Sequence, residues 1–320
     1  MQVLSPAPYL SIEERNMLSK KNDFRAALGI LYHWILIVAS FQLVFWIPNF
    51  LTVVVAIFIM GGQLLACSVM LHDAGHFAVF SNKKLNDFVG NWFGGYPVFQ
   101  GLVNYRAYHL VHHLNTGLEE DPDLLLTRGY PTNRKSMIRK FWRDLSGQTG
   151  IKSLSGLILM HLGYLEYNLG GKITKVDQSK RKNIEFLKVF ATNLAPCIIF
   201  QFVLFLLLTA FLSPWLYLLW LGAYLTSFQF SIRVRAIAEH SMVEDSKDPW
   251  RNTRSTKANW FIQLLFAPYH VNYHVEHHMM MSVPSYNLPR MHKLLYDRGF
   301  YNKGLLAPSY WSVIKQAAQQ

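Results

Sequence analysis

The chain has 320 residues, of which 51% are hydrophobic, 15% aromatic and only 16% charged. That balance, with the apolar residues gathered in blocks, excludes an ordinary soluble globule and suits a chain solvated in part by lipid. A net charge of +12 fits nucleic acid or an anionic membrane surface; the apolar blocks select the membrane, and no nucleic-acid partner is expected.

Residues 1–27 are polar. Ser11 and Glu14 have capping-box spacing, which predicts a short surface helix from about Ile12. No short apolar stretch with a small-residue cleavage site precedes the first long run, so no cleaved signal peptide is expected. Residues 28–47 are then apolar apart from His33 and Gln42, and residues 50–71 follow after Pro48 and Asn49. Each run is long enough for the roughly 20 helical residues that cross a hydrocarbon core, and so brief a connection forces an antiparallel hairpin. His33 stands alone in the first run and reads as a buried, hydrogen-bonded structural histidine. Cys67 and Cys197 both lie in apolar runs, so neither a disulfide framework nor a CxxC metal site is available.

The second run leads into His72, Asp73 and His76, in the sequence HDAGH. Residues 85–103 are apolar but carry Gly90, Gly94, Gly95, Pro97 and Gly101, too many breakers for a spanning helix, and are expected to be interfacial or re-entrant. His109, His112 and His113 follow in HLVHH, then an acidic patch of Glu119, Glu120, Asp121 and Asp123. Residues 154–169, interrupted by His161 and Glu166, are expected on the membrane surface. Residues 186–212, with Pro196 as a kink, and 215–232 form a second pair of runs, joined at Ser213 and Pro214. Beyond them lie Glu239, His240 and the stretch PYHVNYHVEHHMMM, with His270, His274, His277 and His278.

The expected fold is an all-α membrane protein forming one integral-membrane domain over residues 1–320. Four transmembrane helices (28–47, 50–71, 186–212, 215–232) make two hairpins, and a cytoplasmic helical cap (72–185 and 233–320) holds the histidine boxes. Neither the Pro48 turn nor the Ser213 turn has a Lys or Arg, so the positive-inside rule puts both termini and all three boxes on the cytoplasmic side.

Imidazole is the commonest protein ligand for transition metals, and residues three and four apart on a helix share a face. The ligand candidates are His72, His76, His109, His112, His113, His240, His274, His277 and His278. Nine rings exceed what one metal at four to six ligands needs and suit two. The lack of paired cysteines argues against a zinc–thiolate or iron–sulfur site. Asp73, Glu239 and Glu276 each neighbour a candidate and are placed to accept an imidazole N–H and fix its tautomer. His270, one turn before His274, is expected as a hydrogen-bonding partner of the site rather than a tenth ligand.

With NDFVGNW (86–92), EDPDL (120–124), RVRAIAEH (233–240) and NYHVEHH (272–278) added to the boxes, the chain from about Leu28 to Met291 resembles the integral-membrane fatty acid desaturase and hydroxylase superfamily, on its acyl-lipid desaturase-like branch. The resemblance implies a non-haem di-iron centre of two Fe ions bound by the nine histidines, His240 matching the ligand that follows the fourth helix. It implies an oxidoreductase, an O₂-dependent fatty acid desaturase that introduces a cis double bond into an acyl-lipid, acyl-CoA or acyl-carrier substrate. No HPGG-like haem-binding stretch occurs, so the electron donor is expected to be separate, of ferredoxin, rubredoxin or cytochrome b5 type. Arg134, Lys135, Arg139, Lys140 and Arg143 suit an acidic donor or anionic membrane lipids, and Arg251 and Arg254 a polar substrate end. Gly61, Gly62, Ala66 and Ser68 either leave room for an acyl chain or pack helices closely. A lipid hydroxylase or carotenoid ketolase shares such boxes; a divalent-metal transporter would need ligands near the bilayer midplane, and here they lie at helix ends.

Overall fold

The structure, a computed structural model, describes residues 4–243 and 247–319. It is mostly helical. Helix α1 (Ile12–Ser19) starts at the expected capping box, where Ser11 and Glu14 bond reciprocally. Helices α2 (Asp23–Trp46) and α3 (Phe50–Gly75) form the first hairpin, and Asn49 caps α3 by accepting from the Thr52 amide. Both helices extend beyond the apolar runs: α2 begins five residues earlier, and α3 continues through His72 because Asp73, Ala74 and Gly75 keep the helical ladder going.

The stretch 85–103 breaks up as its glycines dictate. Helix α4 (Lys83–Val89) passes into a π-helical turn at 90–95 that packs along α3, and a short 3₁₀ turn precedes α5 (Leu102–Asn115). Helix α6 (Leu124–Thr127) is a single turn; α7 (Arg134–Leu145) and α8 (Gln148–His161) follow. Asp144, fully buried on α7, pairs with Arg233.

Helix α9 (Asn183–Val189) runs through a π-helical turn at 190–194 into α10 (Ala195–Phe211), so the irregularity expected at Pro196 is an added residue in the ladder just ahead of the proline. Among the described residues, three helical stretches are long and apolar enough to cross a membrane: Asp23–Trp46, Phe50–Gly75 and Asn183–Phe211. The fourth expected run divides at Thr226 into α11 (Leu216–Leu225) and α12 (Ser227–His240). Thr226 leaves the helical region at φ −118° and ψ −89°, and its Oγ1 donates at 2.6 Å to the Gly222 carbonyl, which also accepts from the Thr226 amide at 3.0 Å.

Beyond α12 the described residues include a short parallel strand pair among the helices. Strand β1 (Arg254–Thr256) pairs in parallel with β2 (Leu305–Ala307), on either side of α13 (Trp260–Leu265), α14 (His274–Met279) and α15 (Leu288–Asp297); α16 (Tyr310–Ala317) follows. The sheet closes the 254–307 segment into a loop with α14 inside it.

The largest core cluster fills the space between α2, α3, α10 and α11, around Trp220, Met60, Leu64 and Ile37. Here α3 is approached very closely. A Cβ on Gly61 would lie 2.2 Å from Ser227 Oγ on α12, and one on Gly62 would lie 2.3 Å from the Leu264 carbonyl on α13. These glycines serve helix packing and leave no room for an acyl chain. A second cluster joins Leu10 and Leu18 to Val275, Met291, Leu295 and Phe300, so the N-terminal helix covers α14 and α15, and Glu14 pairs with Arg298 at 2.6 Å.

Candidate metal centre

Four segments deliver nine imidazoles to one end of the α2–α3 hairpin. His72 lies in the last turn of α3 and His76 caps it. Helix α5 carries His109, His112 and His113; α12 ends on His240; α14 carries His274, His277 and His278. The rings sort into two groups, His72, His76, His109, His113 and His277 in one and His112, His240, His274 and His278 in the other, with each group's candidate ligand atoms all within 4.8 Å of one another.

The sorting follows helix geometry. At about 100° per residue, positions four apart differ by about 40° and positions three apart by about 60° in the opposite sense. His109 and His113 therefore share a group while His112 swings across to the other, and His274 and His278 share a group while His277 crosses back. The second and third boxes do not present three rings to one point: each straddles both groups, whereas the two rings of the first box, His72 and His76, join the same group.

Ring nitrogens approach within the groups as ligands of a common ion would. The Nε2–Nε2 separations are 3.0 Å for His109–His113, 3.1 Å for His113–His277, 2.7 Å for His240–His274 and 3.1 Å for His274–His278. Two nitrogens about 2.1 Å from one ion and at right angles to each other are about 3.0 Å apart. His72 Nε2 and His76 Nε2 are buried with no hydrogen-bond partner, which a metal would supply. The histidine groups are thus compatible with metal binding. Burial, reinforced by neighbouring rings, holds His109, His113, His277 and His278 well below the usual imidazole pKa, in the neutral form a metal requires. His112 differs: burial disfavours its charged form, but the hydrogen bond to Asp121 and the charges of Asp123 and Asp121 outweigh it and raise its pKa.

Carboxylates orient some of these rings, though not all those expected. His72 Nδ1–H donates to Asp73 Oδ1 at 2.8 Å, which leaves Nε2 for the group. Glu239 is taken by Arg235 at 2.8 Å and stands 3.6 Å from His274 Nε2; burial, opposed by Arg235, lifts its pKa to about 7. Glu276 touches none of the nine rings through a hydrogen bond. It accepts from His292 Nδ1–H and Ser255 Oγ–H, both at 2.5 Å, and from the Tyr301 hydroxyl, and so anchors α14 to α15 and the sheet. His270 likewise makes no bond to the groups, and its Nδ1 is buried without a partner.

The residue that sequence reasoning passed over is Asp121. His112 Nδ1–H donates to its Oδ1 at 2.8 Å, and the backbone amides of Gly117 and Asp123 donate to it at 2.8 and 2.9 Å. It lies nine residues from His112 in an acidic stretch, and the signal that could have singled it out was EDPDL: the proline and flanking aspartates mark a tight turn directly after the second box. Arg254 is buried and donates to the carbonyls of Ser241 and Met242 at 3.0 and 2.9 Å, so it ties down the chain after α12.

A family model described as fatty acid desaturase matches residues 45–310. Among curated proteins, the chain is similar to a dihydrorhizobitoxine desaturase of Bradyrhizobium elkanii, 26% identical over 263 residues that cover 77% of this chain and 68% of that one. It is also similar to sn-1 oleoyl-lipid 12-desaturases of a Synechocystis species, 24% identical with 75% and 69% covered, and of Anabaena variabilis, 24% identical with 75% and 67% covered.

Proposed function

From the premise that this chain belongs to the fatty acid desaturase family, and so is an oxidoreductase, we propose that it is a membrane-bound, O₂-dependent di-iron desaturase that introduces a cis double bond into the acyl chain of a lipid. The observation that carries this reading is the convergence of nine histidines into groups of five and four. Two irons held there would supply the activation of O₂ and the removal of hydrogen from two adjacent, unactivated carbons. The balance is one O₂, two electrons, two protons and two substrate hydrogens, leaving as two waters while a C–C single bond becomes double.

The chain's own residues fix where that chemistry happens. Asp73 and Asp121 hold the rings of His72 and His112 through Nδ1, so that Nε2 of each would be the atom offered to a metal. Glu276, through His292, Ser255 and Tyr301, holds the helix that supplies rings to both groups. The names of two relatives, oleoyl-lipid desaturases, support a lipid acyl chain as substrate.

In the membrane, α11 and the start of α12 make the fourth crossing despite the break at Thr226. Both termini and the histidine groups are cytoplasmic, since neither short turn carries a basic residue. A separate acidic electron donor fits the exposed side of α7, where Arg134, Lys135, Arg139 and Arg143 lie open.

The test is expression in a host without desaturases of its own, supplied with an electron donor, followed by lipid mass profiling and metal analysis of the purified protein. The expected result is an acyl product lighter by two hydrogens and two irons per chain. A product heavier by one oxygen would replace this reading with a hydroxylase or ketolase. Unchanged lipids alongside well-expressed, iron-loaded protein would remove the acyl substrate.

A further inference from the structure

A cavity of about 560 Å³ opens between α2, the C-terminal half of α3 and the segment 260–270. This volume lies within the usual range for small-ligand sites. None of the nine histidines lines it. Its link to the metal centre is Asp73, which lines the cavity and accepts from His72 Nδ1–H. The cavity therefore meets the back of one ligand ring and not the space between the rings.

Its walls are polar at one end and apolar along one side. Arg25 lies in the first turn of α2 and Asp73 in the last turn of α3, so in this antiparallel hairpin they share an end, which Ser285 and Tyr286 also line. Arg25 is exposed, its guanidinium is 6.0 Å from the Tyr286 ring centroid, and among the described residues no carboxylate forms an ion pair with it. Asp73 is already engaged by His72. From Arg25 the cavity continues past Leu28 and Tyr32 to Leu36, about 16 Å further along the helix at 1.5 Å per residue. Leu28 and Tyr32 are exposed on the side that a spanning α2 turns to lipid.

The opposite wall is strained. Tyr269 and His270, neither a glycine, sit consecutively at φ 53° and 58°, a left-handed conformation that L side chains seldom adopt and that gathers at ligand sites. The buried His270 Nδ1 has no partner in the protein. Gly29 keeps this wall clear, since a Cβ there would stand 3.2 Å from Tyr269 Cε1.

We propose that this cavity is a binding site, separate from the two histidine groups, for an amphiphile with one aliphatic chain and an anionic oxygen head. The head sits against Arg25 and the chain lies along Leu28, Tyr32 and Leu36, entering sideways from the bilayer. A fatty acid and a lysophospholipid share this chemistry. The proposal rests on α2 crossing the membrane and not on the reaction catalysed, and its test reads binding directly, so it stands or fails apart from the desaturase assignment.

The purified, metal-loaded protein is photolabelled with three probes carrying the same terminally diazirine-tagged aliphatic chain: a carboxylate, a lysophosphatidate and an uncharged alcohol. Labelled peptides are then mapped by mass spectrometry. Label is expected on peptides spanning 28–36 and 264–270, and the better of the two anionic probes identifies the source of the head group. Gly29→Leu should cut this labelling at least tenfold with melting temperature and metal content unchanged. Arg25→Gln should cut labelling by the anionic probes at least fivefold, spare the alcohol, and be rescued by Arg25→Lys. Undiminished labelling in a stably folded Gly29→Leu protein, or label spread evenly over the lipid-facing sides of α2 and α10, would overturn the proposal.

Discussion

The two histidine groups share the second and third boxes but are held in different ways. In the five-ring group, the carboxylate bonded to a ring is Asp73, the next residue on the same helix as the ring it holds. In the four-ring group, His112 is held by Asp121 from the loop after α5, with Asp123 3.7 Å from the same nitrogen, and Glu239 stands 3.6 Å from His274. One group is fixed by local helix geometry, whereas the other depends on a loop folding back and lies in a more negative surrounding. The four-ring group should therefore hold its cation against a less positive local field, yet be the more easily disturbed by changes outside the boxes.

Removing a ring tests the division most severely. His113→Ala should empty the five-ring group and His240→Ala the four-ring group, each leaving about one iron per chain by elemental analysis and lowering turnover by about 100-fold or more. Loss of both irons from either variant would show that the groups are one cooperative site. Next in size are the orienting carboxylates. Asp121→Asn should weaken metal retention by about 10- to 100-fold in a chelator competition, and Asp73→Asn by an amount at the lower end of that range, because Asp121 also fixes the Gly117 and Asp123 amides. Equal losses in the two would break the proposed contrast between loop and helix support.

Metal removal gives a third comparison. A metal at 100 times its dissociation constant stabilises the fold by about 2.7 kcal/mol per site. Chelation should lower the melting temperature of the wild-type protein, and by a smaller step in Asp121→Asn, where the four-ring site is already weak. A fourth concerns the contact between the helices that serve different groups. Gly61→Ala places a methyl against Ser227 and should cost about 1–3 kcal/mol by overpacking, read as a lower melting temperature. Because α3 carries His72 and α12 carries His240, it should also disturb metal retention in both groups. The smallest effect is expected for Glu276→Gln, which keeps the shape but weakens the bonds from His292, Ser255 and Tyr301; turnover should fall by less than about tenfold.

Much of this arrangement was legible before any fold was known. Runs of about twenty apolar residues declare membrane helices because the hydrocarbon thickness sets their length, and α2 and α3 follow them closely. The Ser11–Glu14 capping box is a local hydrogen-bond pattern, and it too appears in place. Asp73 was legible because it adjoins the ring it holds. Glu276 misled for the same reason: it adjoins His277, but a helix turns neighbouring side chains about 100° apart, and its carboxylate points to His292 and Tyr301. The division of the fourth run at Thr226 was hidden because hydropathy is blind to the backbone angles, φ −118° and ψ −89°, at which the helix breaks there.

The sequence by itself determined the apolar helices, the nine candidate rings and the likeness to a desaturase, since each depends on residue type and spacing within one short stretch. Only the tertiary structure decided which ring joins which group, that Asp121 and not Glu276 orients a ring, and that the glycines of α3 serve packing. Those outcomes depend on the angles at which separate helices and a returning loop meet, and such long-range geometry leaves no periodic trace along the chain.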